Sequence, residues 1–171
     1  MSTRVAISCP DGDTTEPRPA DALAPQLIQL LKLATMISRP MQDAVANPNG
    51  LTMNELKIMM CLAGEGPCAG HDLTSLMGIP PMNVSRALAS LAQRGWVEPA
   101  VDPANRRRKP VRLSELGRAM QDEMTADIGD VAHELLGTLG ERDRAALDRI
   151  TRVLIARMQR WSGVVRSPAA R

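Results

Sequence analysis

The sequence contains no phenylalanine and no tyrosine, and Trp96 and Trp161 are its two tryptophans. This excludes a hydrophobic core built on clustered phenyl rings. Eleven methionines are present instead, and their flexible, unbranched side chains fill irregular interior spaces. We expect a core of aliphatic residues and methionines, with a methionine-lined ligand pocket as the alternative use of these side chains.

Cysteine is also scarce, and long apolar runs are absent. Cys9, Cys61 and Cys68 are odd in number, and no two of them have the spacing of metal ligands. This excludes a disulfide scaffold and is typical of a reducing compartment. No apolar run approaches the roughly 18 residues of a membrane span, and the N-terminus lacks the regions of a secretory signal. We therefore predict a cytoplasmic protein without a membrane partner.

The sequence shows no cluster of catalytic or metal-binding residues. His71 and His133 are far apart, and neither has a cysteine or carboxylate at ligand spacing. The segment Glu65-Gly66-Pro67 has the composition of a turn and not of a phosphate-binding loop. We expect no catalytic residue, no metal and no cofactor, and we predict that the protein is not an enzyme.

Apolar residues recur at helical spacing along most of the chain, which predicts a mainly α fold. The predicted helices cover residues 21–45, 52–63, 70–77, 81–94, 114–136 and 141–161. Residues 1–20 are expected to form a disordered arm, and residues 163–171 a flexible tail. Asp21 is a candidate N-cap, Thr52 and Glu55 form a capping-box pattern, and Pro40 is expected to kink the first helix.

Two short strand-like segments, Gly95–Pro99 and Val111–Leu113, flank a basic turn. The order helix, short helix, turn, helix and basic turn predicts a winged helix-turn-helix with a small β wing of two or three strands. Helices at both ends of the chain carry apolar stripes, which require burial against the winged unit or against a second copy.

Charge is distributed unevenly, although the net charge is only +2. Seven cations and two acids lie between Ile79 and Arg112, whereas nine acids and three arginines lie between Glu115 and Asp148. A basic module beside an acidic one favours an anionic polymer bound on one side, and two unrelated solvated surfaces are the alternative.

No acidic residue lies between Ile79 and Val97, as expected for a helix that enters a DNA groove. The candidate DNA contacts on this helix are Met82, Asn83, Ser85 and Arg86. Asparagine pairs with adenine and arginine with guanine, so these side chains have the chemistry of base readout. The wing cations Arg106, Arg107, Arg108 and Lys109 are expected to contact phosphates or an adjacent minor groove.

At these positions the sequence resembles the MarR family of bacterial regulators, from Leu51 to Gly117. The resemblance is carried, in order, by Leu51-Thr52, Leu73-Thr74-Ser75-Leu76-Met77-Gly78, Val84-Ser85-Arg86, Leu91, Arg94-Gly95-Trp96-Val97-Glu98, Asp102-Pro103-Ala104-Asn105-Arg106-Arg107 and Val111-Arg112-Leu113-Ser114-Glu115-Leu116-Gly117. Each fragment alone is unspecific, but the ordered set at these spacings is specific. Asn105 departs from the usual wing aspartate, and Pro80-Pro81-Met82-Asn83 departs from the usual helix start.

The resemblance implies a homodimeric repressor that binds a pseudo-palindromic operator in double-stranded DNA at the nucleoid. Residues 21–46 and 115–162 would form the dimerisation domain, and residues 51–114 the DNA-binding domain. Asp102 would stabilise the wing through Arg106 or Arg107.

The resemblance also implies release of DNA by a small aromatic or phenolic carboxylate, as in aromatic-acid catabolism or efflux control. The expected pocket wall consists of Met36, Arg39, Leu56, Met60, Met120, Met124 and His133. Arg39 would clamp the carboxylate, with a surface or dimer salt bridge as its alternative. His133 would bind a phenol, with a solvated or structural histidine as its alternative.

Two other functions remain open at this point. Relatives that sense peroxide pair an early cysteine with a tyrosine, whereas this sequence has no tyrosine and only Cys9 near its start. Oxidation of Cys61 or Cys68 is nevertheless a possible switch. A winged helix that binds a protein and never DNA is the second alternative, against which the basic wing argues.

Overall fold

The structure is a computed structural model that describes residues 19–102, 105 and 108–161. Within these ranges it contains six α-helices: α1 (Pro19–Met41), α2 (Met53–Glu65), α3 (Gly70–Met77), α4 (Pro81–Gln93), α5 (Glu115–Leu136) and α6 (Glu141–Trp161). A two-stranded antiparallel sheet forms from β1 (Val97–Pro99) and β2 (Val111–Leu113). The predicted fold class, mainly α with a small β wing, is confirmed.

Most of the predicted arm and the whole predicted tail lie outside the described residues, as do Arg106 and Arg107. α1 begins at Pro19, so the prediction that Asp21 is an N-cap is wrong. Proline is well suited to the first helical position because it lacks an N–H group that would remain unpaired there.

The regular α pattern ends at Met41, one residue after Pro40, and a π-helix follows over Gln42–Ala46. Its wider pattern is visible in the hydrogen bond from the Asn47 N–H to the Gln42 carbonyl, at 2.8 Å. The sequence predicted an irregularity near Pro40 but not this form of it. π-Helical turns are rare and have no simple sequence signal.

The chain divides after Met36 into two compact units. In the first unit, α1 exposes a row of apolar side chains, Leu23, Leu27, Ile28, Leu30, Leu31 and Leu33. In the second unit, α6 exposes Leu147, Ile150, Val153, Leu154, Ile155 and Met158. Each helix therefore carries apolar surface that the single chain leaves in solvent.

The core of the second unit lies between α2, α4 and α5, with the π-helix at its edge. Its largest fully buried side chains are Val45, Leu56, Ile58, Met59, Cys68, Leu73, Leu91 and Met124. Met59 and Met124 confirm that methionine contributes to the core, and Trp96 is buried at the start of the wing.

The helix-turn-helix consists of α3, a tight turn and α4. Gly78 ends α3 with a left-handed φ of 63°, a conformation that glycine adopts without a steric penalty. Pro81 then stands at the start of α4. The strands follow in the register Val97 to Leu113, which sets the wing beside the end of α4.

Candidate nucleic-acid interface

α4 presents a polar surface that contains no acidic residue. Met82, Ser85 and Arg86 are exposed and Asn83 is half-buried. Val84, Ala87 and Leu91 are buried on the opposite side and fix the helix to the core. The four candidate base-reading residues thus lie in the first two turns of α4, on the part of a recognition helix that enters the major groove.

Glu55 is a buried acidic side chain beneath α4, with 4% of its surface exposed. It completes the predicted capping box: its carboxylate accepts the Thr52 N–H at 2.7 Å, and its own N–H donates to Thr52 Oγ1 at 3.3 Å. Burial raises the pKa of Glu55, but hydrogen bonds from Ser90 and Thr52 outweigh this effect, so the pKa lies below its usual value. Glu55 therefore links the start of α2 to α4 as an ionised group.

Arg94 holds the other end of α4. Its Nη2 donates to the Gly50 carbonyl at 2.7 Å, and its guanidinium lies 5.0 Å from the centre of the Trp96 ring. Arginine commonly makes both kinds of contact, with oxygen acceptors and with aromatic faces. Arg94 thus has a structural position, although it belongs to the basic segment.

The base of the wing is fixed by a three-residue ion network. Arg108 Nη1 donates to Asp102 Oδ2 at 3.1 Å, and Arg108 Nη2 donates to Asp72 Oδ2 at the start of α3. Asp72 also accepts the Ala69 N–H at 2.7 Å and so caps α3. Asp102 thus accepts a hydrogen bond from Arg108, and its wing-stabilising role stays a prediction. Its predicted partners, Arg106 and Arg107, lie outside the described residues.

The network changes the ionisation of its members. Burial raises the pKa of Asp72, but hydrogen bonds from Arg108 and the Ala69 amide outweigh it and leave the pKa below its usual value. Hydrogen bonds to the carboxylates of Asp72 and Asp102, of which the bond to Asp72 has the larger effect, raise the pKa of Arg108. The exposed side chain of Lys109 stands beside this network, so the wing keeps at least one cation at its surface.

A sequence model of the MarR family matches residues 51–109, the segment that contains α2 to α4 and most of the wing. Residues 51–109 therefore have the sequence pattern of the MarR family, a family of winged-helix transcriptional regulators.

Several relatives resemble this chain over more than the winged helix. YwoH of Bacillus subtilis, an uncharacterised HTH-type transcriptional regulator, is 22% identical over 74% of this chain and 91% of YwoH. The transcriptional repressor MprA of Escherichia coli is 28% identical over 55% of this chain and 54% of MprA. In Bordetella bronchiseptica BpsR, 6-hydroxynicotinic acid regulates DNA binding. The BpsR structure is 25% identical, with a TM-score of 0.60 over 75% of this chain and 98% of BpsR.

The residues predicted as an effector wall differ in burial. Leu56 and Met124 are fully buried in the core, and Met120 packs partly buried against it. Met60 and His133 are exposed. These positions leave the wall a prediction, because core residues contact a ligand only after repacking.

The two N-terminal members of the predicted wall are exposed as well. Met36 ends the first compact unit and Arg39 lies in the second. Arg39 pairs with Asp43 at 3.5 Å on the protein surface, which is the salt bridge weighed as its alternative.

The described residues were also compared with the patterns of a disulfide, a metal site and a membrane span. Cys61 and Cys68 are buried and form no disulfide there. Among the described residues no three histidines, cysteines or carboxylates come together as a metal site. None of the described helices has the length and hydropathy needed to cross a membrane. The named relatives are regulators and not enzymes.

Substituting Asp72→Asn should flatten the acid limb of the stability curve. Because the pKa of Asp72 is lower in the folded than in the unfolded protein, its contribution is present above about pH 4 and is lost as pH falls through the folded pKa. The variant should lose less stability than wild type between about pH 4 and pH 2. Urea unfolding across this range measures the difference. Asp130→Asn, at an exposed position on α5, should retain the wild-type pH dependence; an equal change in both variants would contradict the role of the network.

Proposed function

We propose that this protein is a repressor of the MarR family that binds a pseudo-palindromic operator as a homodimer and releases it on binding a small aromatic or phenolic carboxylate. One observation carries the proposal: the acid-free surface of α4, with Arg86 exposed, lies beside a wing that is fixed to α3 through Arg108. Such a pair of elements supplies base readout and phosphate contact together. Binding to an operator would place the protein at the bacterial nucleoid.

The homodimer is supported by the exposed apolar side chains of α1 and α6. Exposed apolar patches of this kind mark protein interfaces, because water contact with them is unfavourable. We propose that residues 21–46 and 115–162 form the dimerisation domain and that two copies present two wings and two α4 helices. A dimer of this kind reads two half-sites about one helical turn apart.

Repression and ligand release are supported by two relatives. MprA is a transcriptional repressor, and the DNA binding of BpsR is regulated by 6-hydroxynicotinic acid, which is an aromatic carboxylic acid with a hydroxyl group. We infer the same class of effector for this chain.

The proposal is tested by titrating the purified protein onto the DNA upstream of its own gene in gel-shift assays. We expect a retarded band that weakens as salt increases, since phosphate contacts displace bound cations, and that disappears on addition of an aromatic acid. Analytical ultracentrifugation should show a dimer. A band released by peroxide but by no acid would transfer the switch to a cysteine. Absence of binding at low salt would reject the DNA-binding function in favour of a protein-interaction module.

A further inference from the structure

Met82 is a large apolar side chain that α4 leaves in solvent, with 65% of its surface exposed. The other large apolar side chains of this helix follow the amphipathic pattern, because Val84 and Leu91 are buried and Leu88 is half-buried. All thirteen residues of α4 are described, so Met82 is the exception to that pattern on this helix. A single exposed methionine is ordinary on a protein surface, and its neighbours therefore decide what it does here.

The neighbours of Met82 on the surface of α4 are Ser85 and Arg86, and both are exposed. Residues three and four apart in an α-helix lie on the same face, with their Cβ atoms about 5–6 Å apart. No acidic residue occurs anywhere in α4. Met82 thus adds an apolar contact to a face whose other side chains donate hydrogen bonds and carry positive charge.

The backbone is rigid at the start of α4, where Met82 stands. Pro80 and Pro81 precede it, and the ring of proline restricts the backbone φ to a narrow range. The Pro80 carbonyl accepts the Asn83 N–H at 2.9 Å and the Val84 N–H at 3.1 Å. The main chain that carries Met82 is therefore ordered before any partner binds, so binding through this side chain costs little main-chain entropy.

We propose that Met82 is a specificity-determining residue that contacts the 5-methyl group of a thymine in the major groove. The thymine methyl is the apolar group among the base edges of this groove, and apolar side chains recognise it by direct contact. Arg86 donates hydrogen bonds to a guanine from the same face of the helix. This inference rests on the proposed function and adds to it a base that the hydrogen-bonding residues do not select.

The geometry of the helix also sets the distance between these two contacts. Met82 and Arg86 are four residues apart, which corresponds to about 6 Å along the helix axis at 1.5 Å per residue. Neighbouring base pairs are about 3.4 Å apart along the duplex. We therefore expect the thymine within about two base pairs of the guanine that Arg86 contacts.

The test removes the methyl group from the DNA and the thioether from the protein. The DNA upstream of the gene is amplified once with dTTP and once with dUTP, because uracil differs from thymine only in lacking the methyl group. Wild type should bind the uracil copy roughly 4-fold more weakly for one contact and about 15-fold more weakly for a dimer that makes it twice. Fluorescence anisotropy at one salt concentration measures both affinities.

Two variants at position 82 assign this preference to the methionine. Met82→Ala should bind the thymine and uracil copies with the same affinity, because its side chain is too short to reach the methyl group. Alanine has a higher helix propensity than methionine, so weaker folding of α4 does not produce this result. Met82→Leu restores an apolar side chain of similar size and should recover the preference for thymine.

Two further DNA preparations serve as controls. Unrelated DNA made with dTTP or dUTP measures the effect of uracil on the duplex itself, and wild type should bind these two copies equally. Upstream DNA made with 5-methylcytosine in place of cytosine carries the same methyl group on the other pyrimidine. Single uracil and 7-deazaguanine substitutions then locate the two bases, and a separation of half a helical turn, about five base pairs, would contradict a shared face.

Three results would overturn the role of Met82. They are equal binding of wild type to the thymine and uracil copies, a Met82→Ala protein that keeps the wild-type preference, and a methyl effect confined to the 5-methylcytosine copy. In each of these cases wild type still binds the upstream DNA, so the regulator stands and only the thymine contact is lost. Absence of binding to every copy at low salt is instead the failure of the proposed function.

Discussion

Gly117→Ala is expected to destabilise the protein by about 3–5 kcal/mol, because it places a methyl group inside the backbone of the wing. A Cβ atom at this position would lie 1.9 Å from the Trp96 carbonyl oxygen and 2.8 Å from the Trp96 carbonyl carbon. The same carbonyl accepts the Ser114 N–H at 3.0 Å, and Ser114 Oγ donates to the Gly95 carbonyl at 2.6 Å. Neither backbone segment can move without breaking these bonds. Urea unfolding followed by circular dichroism measures the loss.

Gly129→Ala is the matched control, because it makes the same substitution in the same helix. No heavy atom lies within 4 Å of a Cβ at position 129. Alanine has a higher helix propensity than glycine, so this variant should gain about 0.5–1 kcal/mol. Opposite signs for the two variants would establish close contact at Gly117 as the cause, and similar losses would contradict it.

The order and bounds of the elements in the winged helix were predictable because their signals are local. Thr52 and Glu55 lie three residues apart and form the capping box, and Pro81 stands where α4 begins. These interactions form between residues that are close in sequence, so the sequence pattern is enough to predict where each helix begins.

The supports of the candidate interface were not predictable, because they join residues far apart in sequence. The ion pair of Asp72 with Arg108 spans 36 positions and depends on how the wing packs against α3. The hydrogen bond between Glu55 and Ser90 depends in the same way on the packing of α2 against α4. The basic run suggested that Arg108 contacts DNA, whereas the structure gives it two carboxylate partners, so its contact with DNA stays a prediction.

Helical periodicity also does not distinguish a core from a pocket wall. Leu56 of α2 and Met124 of α5 were predicted from the family resemblance to line an effector pocket, but both are fully buried in the core.

Arg86→Ala is expected to remove most of the preference for the operator while leaving binding to unrelated DNA almost unchanged. Arg86 is exposed in the second turn of α4, where side chains of a recognition helix reach base edges. A bidentate contact of arginine with guanine contributes about 1–3 kcal/mol of discrimination. A homodimer makes this contact twice, so operator affinity should fall by roughly 2–6 kcal/mol, the largest binding effect expected for a single substitution.

Lys109→Ala removes one cation without removing base readout and is the matched comparison. Lys109 is exposed beside the wing network, so it is expected to contact a phosphate. Its loss should weaken binding to the operator and to unrelated DNA by the same factor. It should also reduce the slope of log affinity against log salt by about 1 for each phosphate contact. Fluorescence anisotropy on both DNAs at several salt concentrations distinguishes the two residues. An Arg86→Ala protein with wild-type operator affinity would contradict base readout by Arg86 of α4.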